Sequence, residues 1–197
     1  MKVTPVQLKL NFGSSGGPRS KGLHLSDIYG ALLRDMEPER YGRGDDPTDR
    51  FELGFALEHM LELGLRARGA FRPEEHCTEE GIYFSPDMIL EEDNKIILGE
   101  IKCTWLSSKD VPREPHIDSF PPKFEKYFIQ MKGYCYNLGT PYARLFVFFV
   151  NGRYDCRNRD QPPTPELLVW DITFTAQEME ENWRMIINYA KHKGMLS

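Results

Sequence analysis

GIYFSPDMILEEDNKIILGEIKCTW, residues 81–105, decides how this chain is read. It divides into two strands, Gly81–Leu90 and Lys95–Trp105, joined by a polar turn over Glu91, Glu92, Asp93 and Asn94. Ile96, Ile97 and Leu98 are apolar in succession, the pattern of a strand covered on both faces. Charges break this pattern at Asp87, directly after Pro86, and at Glu100 and Lys102. Alternation along a strand sends Glu100 and Lys102 to one face and Ile101 and Cys103 to the other. A hairpin brings Asp87 across from the Glu100 region, so two carboxylates and an amine converge. Buried charge is costly unless something binds it. A divalent cation relieves the repulsion between two carboxylates. A lysine beside it can hold and polarise a water that the metal has acidified. That chemistry suits attack on a phosphodiester. A lone E-x-K reads far more readily as a surface salt bridge at a fraying strand end; Asp87 is what weighs against that here.

Outward from this hairpin the elements alternate. Ser26 is placed to cap a helix through DIYGALLRDM, with Pro38 helping to end it. YGRGDDPTDR reads as a polar loop. Phe51, Phe55, Leu57, Met60, Leu61 and Leu65 recur at three- and four-residue steps and predict a second helix. Phe71–Thr78 is a candidate short strand. A long loop rich in Pro and Ser follows Trp105, and at that length a connection is usually functional or mobile. Phe124–Leu138 reads as a helix, Ala143–Asn151 and Leu167–Phe174 as strands, and Ala176–Lys193 as an amphipathic helix. Residues 152–165 form a second polar loop. The expected class is α/β, a mixed sheet with helices on its faces.

The 197 residues suit one domain: a Gly- and Ser-rich arm over 1–22 and a single folded unit over 23–197. No apolar run approaches the ~20 residues that span a bilayer, and the first residues lack the apolar core of a signal peptide, which points to a cytoplasm. The net charge of -5 excludes a protein that coats nucleic acid by bulk charge. It leaves room for a nucleic-acid enzyme whose acids are offset by metal ions. Cys77, Cys103, Cys135 and Cys156 form no C-x-x-C pair, so no iron–sulfur cluster is expected.

Ser85-Pro86-Asp87 followed by Glu100-Ile101-Lys102-Cys103 resembles the PD-(D/E)XK nuclease motif, most of all its lambda-exonuclease (YqaJ-type) branch. Gly54-Phe-Ala-Leu-Glu58 resembles the G-x-x-x-E of the helix that gives that branch another acid. Gln130-Met-Lys-Gly-Tyr134 resembles the Q-x-x-x-Y helix shared with RecB-like nucleases, and its four-residue step puts both side chains on one helix face. The resemblance runs from roughly Ser26 to Asn151. It implies a restriction-endonuclease-like core, a central mixed sheet flanked by helices. It also implies one or two Mg²⁺ or Mn²⁺ ions held by Asp87, Glu100, the Ile101 carbonyl and Glu58. Lys102 would orient the attacking water, and Gln130, with Tyr134, would position Lys102 or a phosphate. Glu58 could instead be a solvated helix position beside Glu62, and Gln130 and Tyr134 a polar pair at the core edge. His59 is a second candidate on the Glu58 helix, though a structural imidazole competes with it.

In the same branch a basic residue and a serine near the first helix hold a 5′-phosphate; Arg19, Lys21 and Ser26 occupy that stretch. Trp105, Lys109 and Arg113 in the long loop could stack on or grip a strand, as could Arg153, Arg157 and Arg159. The function expected is a metal-dependent DNA exonuclease of phage recombination or DNA degradation. It would act in a cytoplasm, that of the host if phage-encoded, with a single-strand annealing or recombination protein as partner and a homo-oligomer as a further option. The alternatives are a structure- or sequence-specific endonuclease on the same core and a non-catalytic nucleic-acid-binding subunit.

Overall fold

The structure, a computed structural model, describes residues 20–42, 48–66, 68–111, 120–151 and 166–196, and within these all side chains except those of 48–52. Along the chain run β1 (Leu23–His24), α1 (Leu25–Met36), α2 (Pro38–Tyr41), α3 (Thr48–Arg66), β2 (His76–Cys77), β3 (Ile82–Phe84), β4 (Met88–Glu92), β5 (Lys95–Thr104), α4 (Glu125–Leu138), β6 (Tyr142–Phe149), β7 (Glu166–Thr173) and α5 (Ala176–His192). The main sheet has the order β4-β5-β6-β7 and is mixed, with β5 and β6 parallel and the outer pairs antiparallel. A smaller sheet has the order β1-β3-β2. The expected mixed α/β class holds.

Side-chain alternation on β5 divides the core in two. Leu98 joins Leu25, Ile28, Met131, Leu145 and Ile186 in the larger cluster, under α1, α4 and α5. Ile97 and Ile101 join Leu57, Phe146 and Phe148 in the smaller one, under α3. Glu100 and Lys102 share the parity of Leu98, so they enter from the side of the larger cluster.

The hairpin is tighter than expected. Only Asp93 and Asn94 leave the ladder, with φ of 50° and 58°, and Glu92 pairs with Lys95. Two successive left-handed residues make a two-residue turn that follows the twist of the strands. The register then runs back to Met88 opposite Gly99. A Cβ at Gly99 would fall inside the Met88 side chain, so only glycine fits there.

Three expectations are corrected. Gly81–Leu90 is two strands, because Pro86 has no N–H to give a ladder and fixes its own φ. The piece before it, β3, pairs with β1 and β2, while β4 pairs with β5. The strand expected over Phe71–Thr78 shrinks to His76–Cys77, with Phe71 making a single bridge to Ile89. The cap of α1 is His24 rather than Ser26: the His24 N–H donates to the Asp27 carboxylate at 3.2 Å, and Ser26 lies inside the first turn. Pro38 does follow the end of α1, but as the first residue of the one-turn α2. Among the described residues no helix is long and apolar enough to cross a membrane.

Candidate active site

The register that puts Met88 opposite Gly99 brings Asp87 opposite Glu100 one step further on. There the ladder gives way to side-chain chemistry. Asp87 Oδ2 accepts the Ile101 N–H at 2.8 Å, so its carboxylate ends the pairing that the backbone began. Lys102 Nζ lies 3.7 Å from the same oxygen and forms an ion pair with Glu100 Oε1. Glu100 is fully buried, and among the described residues neither of its oxygens accepts a well-directed hydrogen bond. Burial, then the Asp87 charge beside it, push its carboxyl pKa up to about 8, against the pull of Lys102. For Lys102, burial alone would lower the pKa; the Glu100 and Asp87 carboxylates outweigh it, and the ammonium stays well above its usual range. The side chain of Ile101 packs in the smaller cluster.

Glu58 arrives from α3. A Cβ built at Gly54 would lie in ordinary contact, 3.6 Å from Cys103 Cβ, so α3 runs close over the end of β5. Glu58 Oε1 accepts from Arg72 Nη2 at 3.2 Å, and its charge acts on Glu100. Glu62, read in sequence as a neighbour on a solvated face, is instead buried at 4% exposure. It pairs with Arg66, with Arg72 Nη1 at 3.4 Å and with His59 Nδ1 at 3.9 Å. Arg72 thus ties Glu58 to Glu62. His59 is exposed and turns to Glu62.

Gln130 and Tyr134 face one another on α4 and are both buried. The Gln130 amide donates to Tyr134 Oη at 3.0 Å, and Gln130 Oε1 accepts from Tyr29 Oη at 3.0 Å. The charges of Glu100, Asp87 and Lys102 act on both tyrosines. Burial, chiefly, pushes Tyr29 up to about 12, so it stays a donor. Tyr134 stacks on Phe84 with centroids 5.3 Å apart. Tyr29, Tyr127 and Arg72 were not singled out in the sequence. Tyr127 lies under the Lys102 ammonium, 5.8 Å from the ring centroid. Tyr29 sits four residues after Leu25 on α1; only the packing of α1 on α4 brings it to Gln130.

The expected substrate contacts are more dispersed. Lys21 is exposed before β1, and Ser26 is half-buried on α1. Trp105 is 42% exposed just past β5. Lys109 is exposed on a 3-10 turn over Ser108–Asp110 that Ser107 caps. Arg19, Arg113, Arg153, Arg157 and Arg159 lie outside the described residues.

Asp87 and Glu100 carry oxygen donors of the kind a hard divalent cation takes, and the charge of Glu58 acts on Glu100. Among the described residues no three His, Cys, Asp or Glu groups converge as a ready-made cage. Lys102 stands against Asp87 and Glu100, and Arg72 against Glu58, so protein cations meet the charge of the acids.

In three dimensions the chain is similar to the crystal structure of SSO0001, with a TM-score of 0.53 and 16% identity over 90% of this chain and 79% of that one. A phage-related exonuclease from Haemophilus somnus 129PT matches with a TM-score of 0.49 and 17% identity, over 84% of this chain and 78% of that one. The alkaline exonuclease LHK-Exo from Laribacter hongkongensis gives 0.46 and 18%, over 86% of each chain. No family model matches the chain, and no curated protein matches it by sequence. At 16% identity the SSO0001 likeness is one of fold, extending over most of both chains.

Proposed function

We propose that this protein is a metal-dependent DNA exonuclease, hydrolysing phosphodiester bonds at DNA ends. One observation carries the reading: a fully buried glutamate, one oxygen against the Lys102 ammonium and the other without a hydrogen-bond partner among the described residues, set beside an aspartate at the end of a paired strand. Structural ion pairs do not leave a buried carboxylate so poorly served. Asp87, Glu100, Glu58 and the Ile101 carbonyl would hold one or two Mg²⁺ or Mn²⁺ ions. Such an ion, when bound, acidifies a water and offsets charge on the phosphoryl group. Lys102 orients that water. Gln130, its amide held by Tyr29 on one side and Tyr134 on the other, would position Lys102 or a phosphate. End-dependence rests on the likeness of the S-P-D and E-x-K-C motifs to the lambda-exonuclease branch, and so does a role in phage recombination or DNA degradation beside an annealing protein.

End-labelled linear duplex, single-stranded and closed circular DNA, each with Mg²⁺, Mn²⁺ or EDTA, test this. Loss of label from linear DNA with either ion, none with EDTA and an intact circle are expected. A cut circle would make the enzyme an endonuclease. Binding without cleavage under every condition would make it a non-catalytic subunit.

A further inference from the structure

Tyr127 is 5% exposed, yet two ammoniums lie against its ring: Lys102 Nζ at 5.8 Å from the centroid and Lys126 Nζ at 5.2 Å. Lys102 has its carboxylates. Lys126 has none: among the described residues no acid pairs with it, and the adjacent Glu125 turns to Arg40 at 3.8 Å and to Tyr41. The charges that act on Lys126 are those of Lys123 and Lys102, both positive. Desolvation first, then these two cations, hold its ammonium below the usual range. Lys123, exposed on the turn over Pro122–Phe124, has no acid partner among the described residues either. A half-buried ammonium beside two others is unfavourable unless an anion shares the site; the ring face offsets only part of that. In a chain of net charge -5, such a spot is also where a polyanion would be held.

We propose that Lys126, with Lys123 beside it and the Tyr127 ring beneath it, is a seat for a backbone phosphate of the DNA next to the one being cleaved. This rests on the nuclease reading. The ring sets the second cation beside Lys102, so the strand that presents its scissile phosphate to Lys102 lays a neighbouring phosphate on Lys126. The contact carries no base preference, because it reads the backbone alone.

Binding measured without cleavage tests the seat. Fluorescence anisotropy of a labelled duplex with a single-stranded overhang, in Ca²⁺ in place of Mg²⁺, gives Kd across a salt series. Replacing Lys126→Met keeps the apolar stem and removes the charge. It should weaken binding about tenfold at low salt and flatten the slope of log Kd against log salt by roughly 0.7–0.9, one phosphate contact. Lys126→Arg should restore both. Mn²⁺ affinity by calorimetry should match wild type, which also shows that the variant is folded. Lys95→Met is the control: that ammonium also lies over a tyrosine ring, Tyr142 at 4.8 Å, but at the far end of β5. Its slope should not change. An unchanged slope in Lys126→Met, or an equal change in Lys95→Met, overturns the proposal while leaving the nuclease reading in place. Wild-type protein that binds no DNA would remove both.

Discussion

Two glutamates of this chain lie out of water and are treated in opposite ways. Glu62, 4% exposed on α3, is met by Arg66, Arg72 and His59. Glu100, 0% exposed on β5, is met among the described residues by the Lys102 cation alone; it faces the charge of Asp87, and its Oε2 has no hydrogen-bond partner there. A buried carboxylate ringed by cations is held for the sake of the fold. One set beside a second acid is held at a cost to the fold, and the proposed nuclease reading gives that cost a chemical purpose.

The largest effect expected from this contrast is a crossed pair of substitutions. Glu100→Gln should lower kcat/KM for DNA by about a thousandfold or more, as loss of a group that stabilises charge in the transition state does. It should leave stability nearly unchanged near neutral pH, because a carboxyl raised to about 8 is already largely neutral there and Asp87 remains beside Lys102. Glu62→Gln should do the reverse. It should cost about 2 kcal/mol, because Arg72 loses one of its two carboxylates in a half-buried place, and most of the turnover should remain. Urea midpoints at constant m, read beside the initial rate, check both. Glu100→Gln that destabilises as Glu62→Gln does would erase the distinction.

What could be read from the sequence follows from how local each feature is. Asp87, Glu100 and Lys102 lie on one hairpin, so pairing and alternation alone brought them together. Gln130 and Tyr134 lie one helical turn apart and were equally plain. Tyr29 was not, because its partner Gln130 is 101 residues away and they meet only when α1 packs on α4. Glu62 looked like part of a solvated face because its partner Arg72 lies beyond the end of α3 and returns only through the Phe71–Ile89 bridge. Pro86 was visible as a break. That the piece before it joins a different sheet depends on β1, a two-residue strand some sixty positions earlier, too short to leave a pattern.

A smaller and graded effect is expected from pH. The Glu100 carboxyl is raised from an ordinary 4.5 to about 8 in the fold. The folded form therefore holds its proton more tightly than the unfolded chain. The resulting stabilisation is complete below about 4.5 and is lost as pH rises through about 8. Metal-free wild type should lose Tm relative to Glu100→Gln across that window. Divalent ions need the ionised carboxylate, so the rise in Tm on adding Mn²⁺ should be greater at pH 8 than at pH 6. Parallel Tm curves for the two proteins, with and without Mn²⁺, would show that Glu100 titrates as an ordinary acid.

The smallest effect concerns how the charge of Glu62 is shared. Arg66 lies one turn further along α3, and its side chain is 55% exposed. Even fully exposed i,i+4 pairs contribute about 0.3–0.5 kcal/mol, and here water competes for the Arg66 end, whose long side chain must also be held still. Arg72 is nearer the interior and also holds Glu58. Arg66→Ala should therefore cost no more than about 0.5 kcal/mol, since Arg72 remains to meet the buried carboxylate. The cost should fall further in high salt, which screens the exposed partner first. Nuclease rates should not move, because Arg66 touches none of Asp87, Glu100 and Lys102. A loss near that of Glu62→Gln would mean that Arg66 alone neutralises Glu62. Arg72 would then be left to Glu58, and the cations around the two buried glutamates would have to be assigned anew.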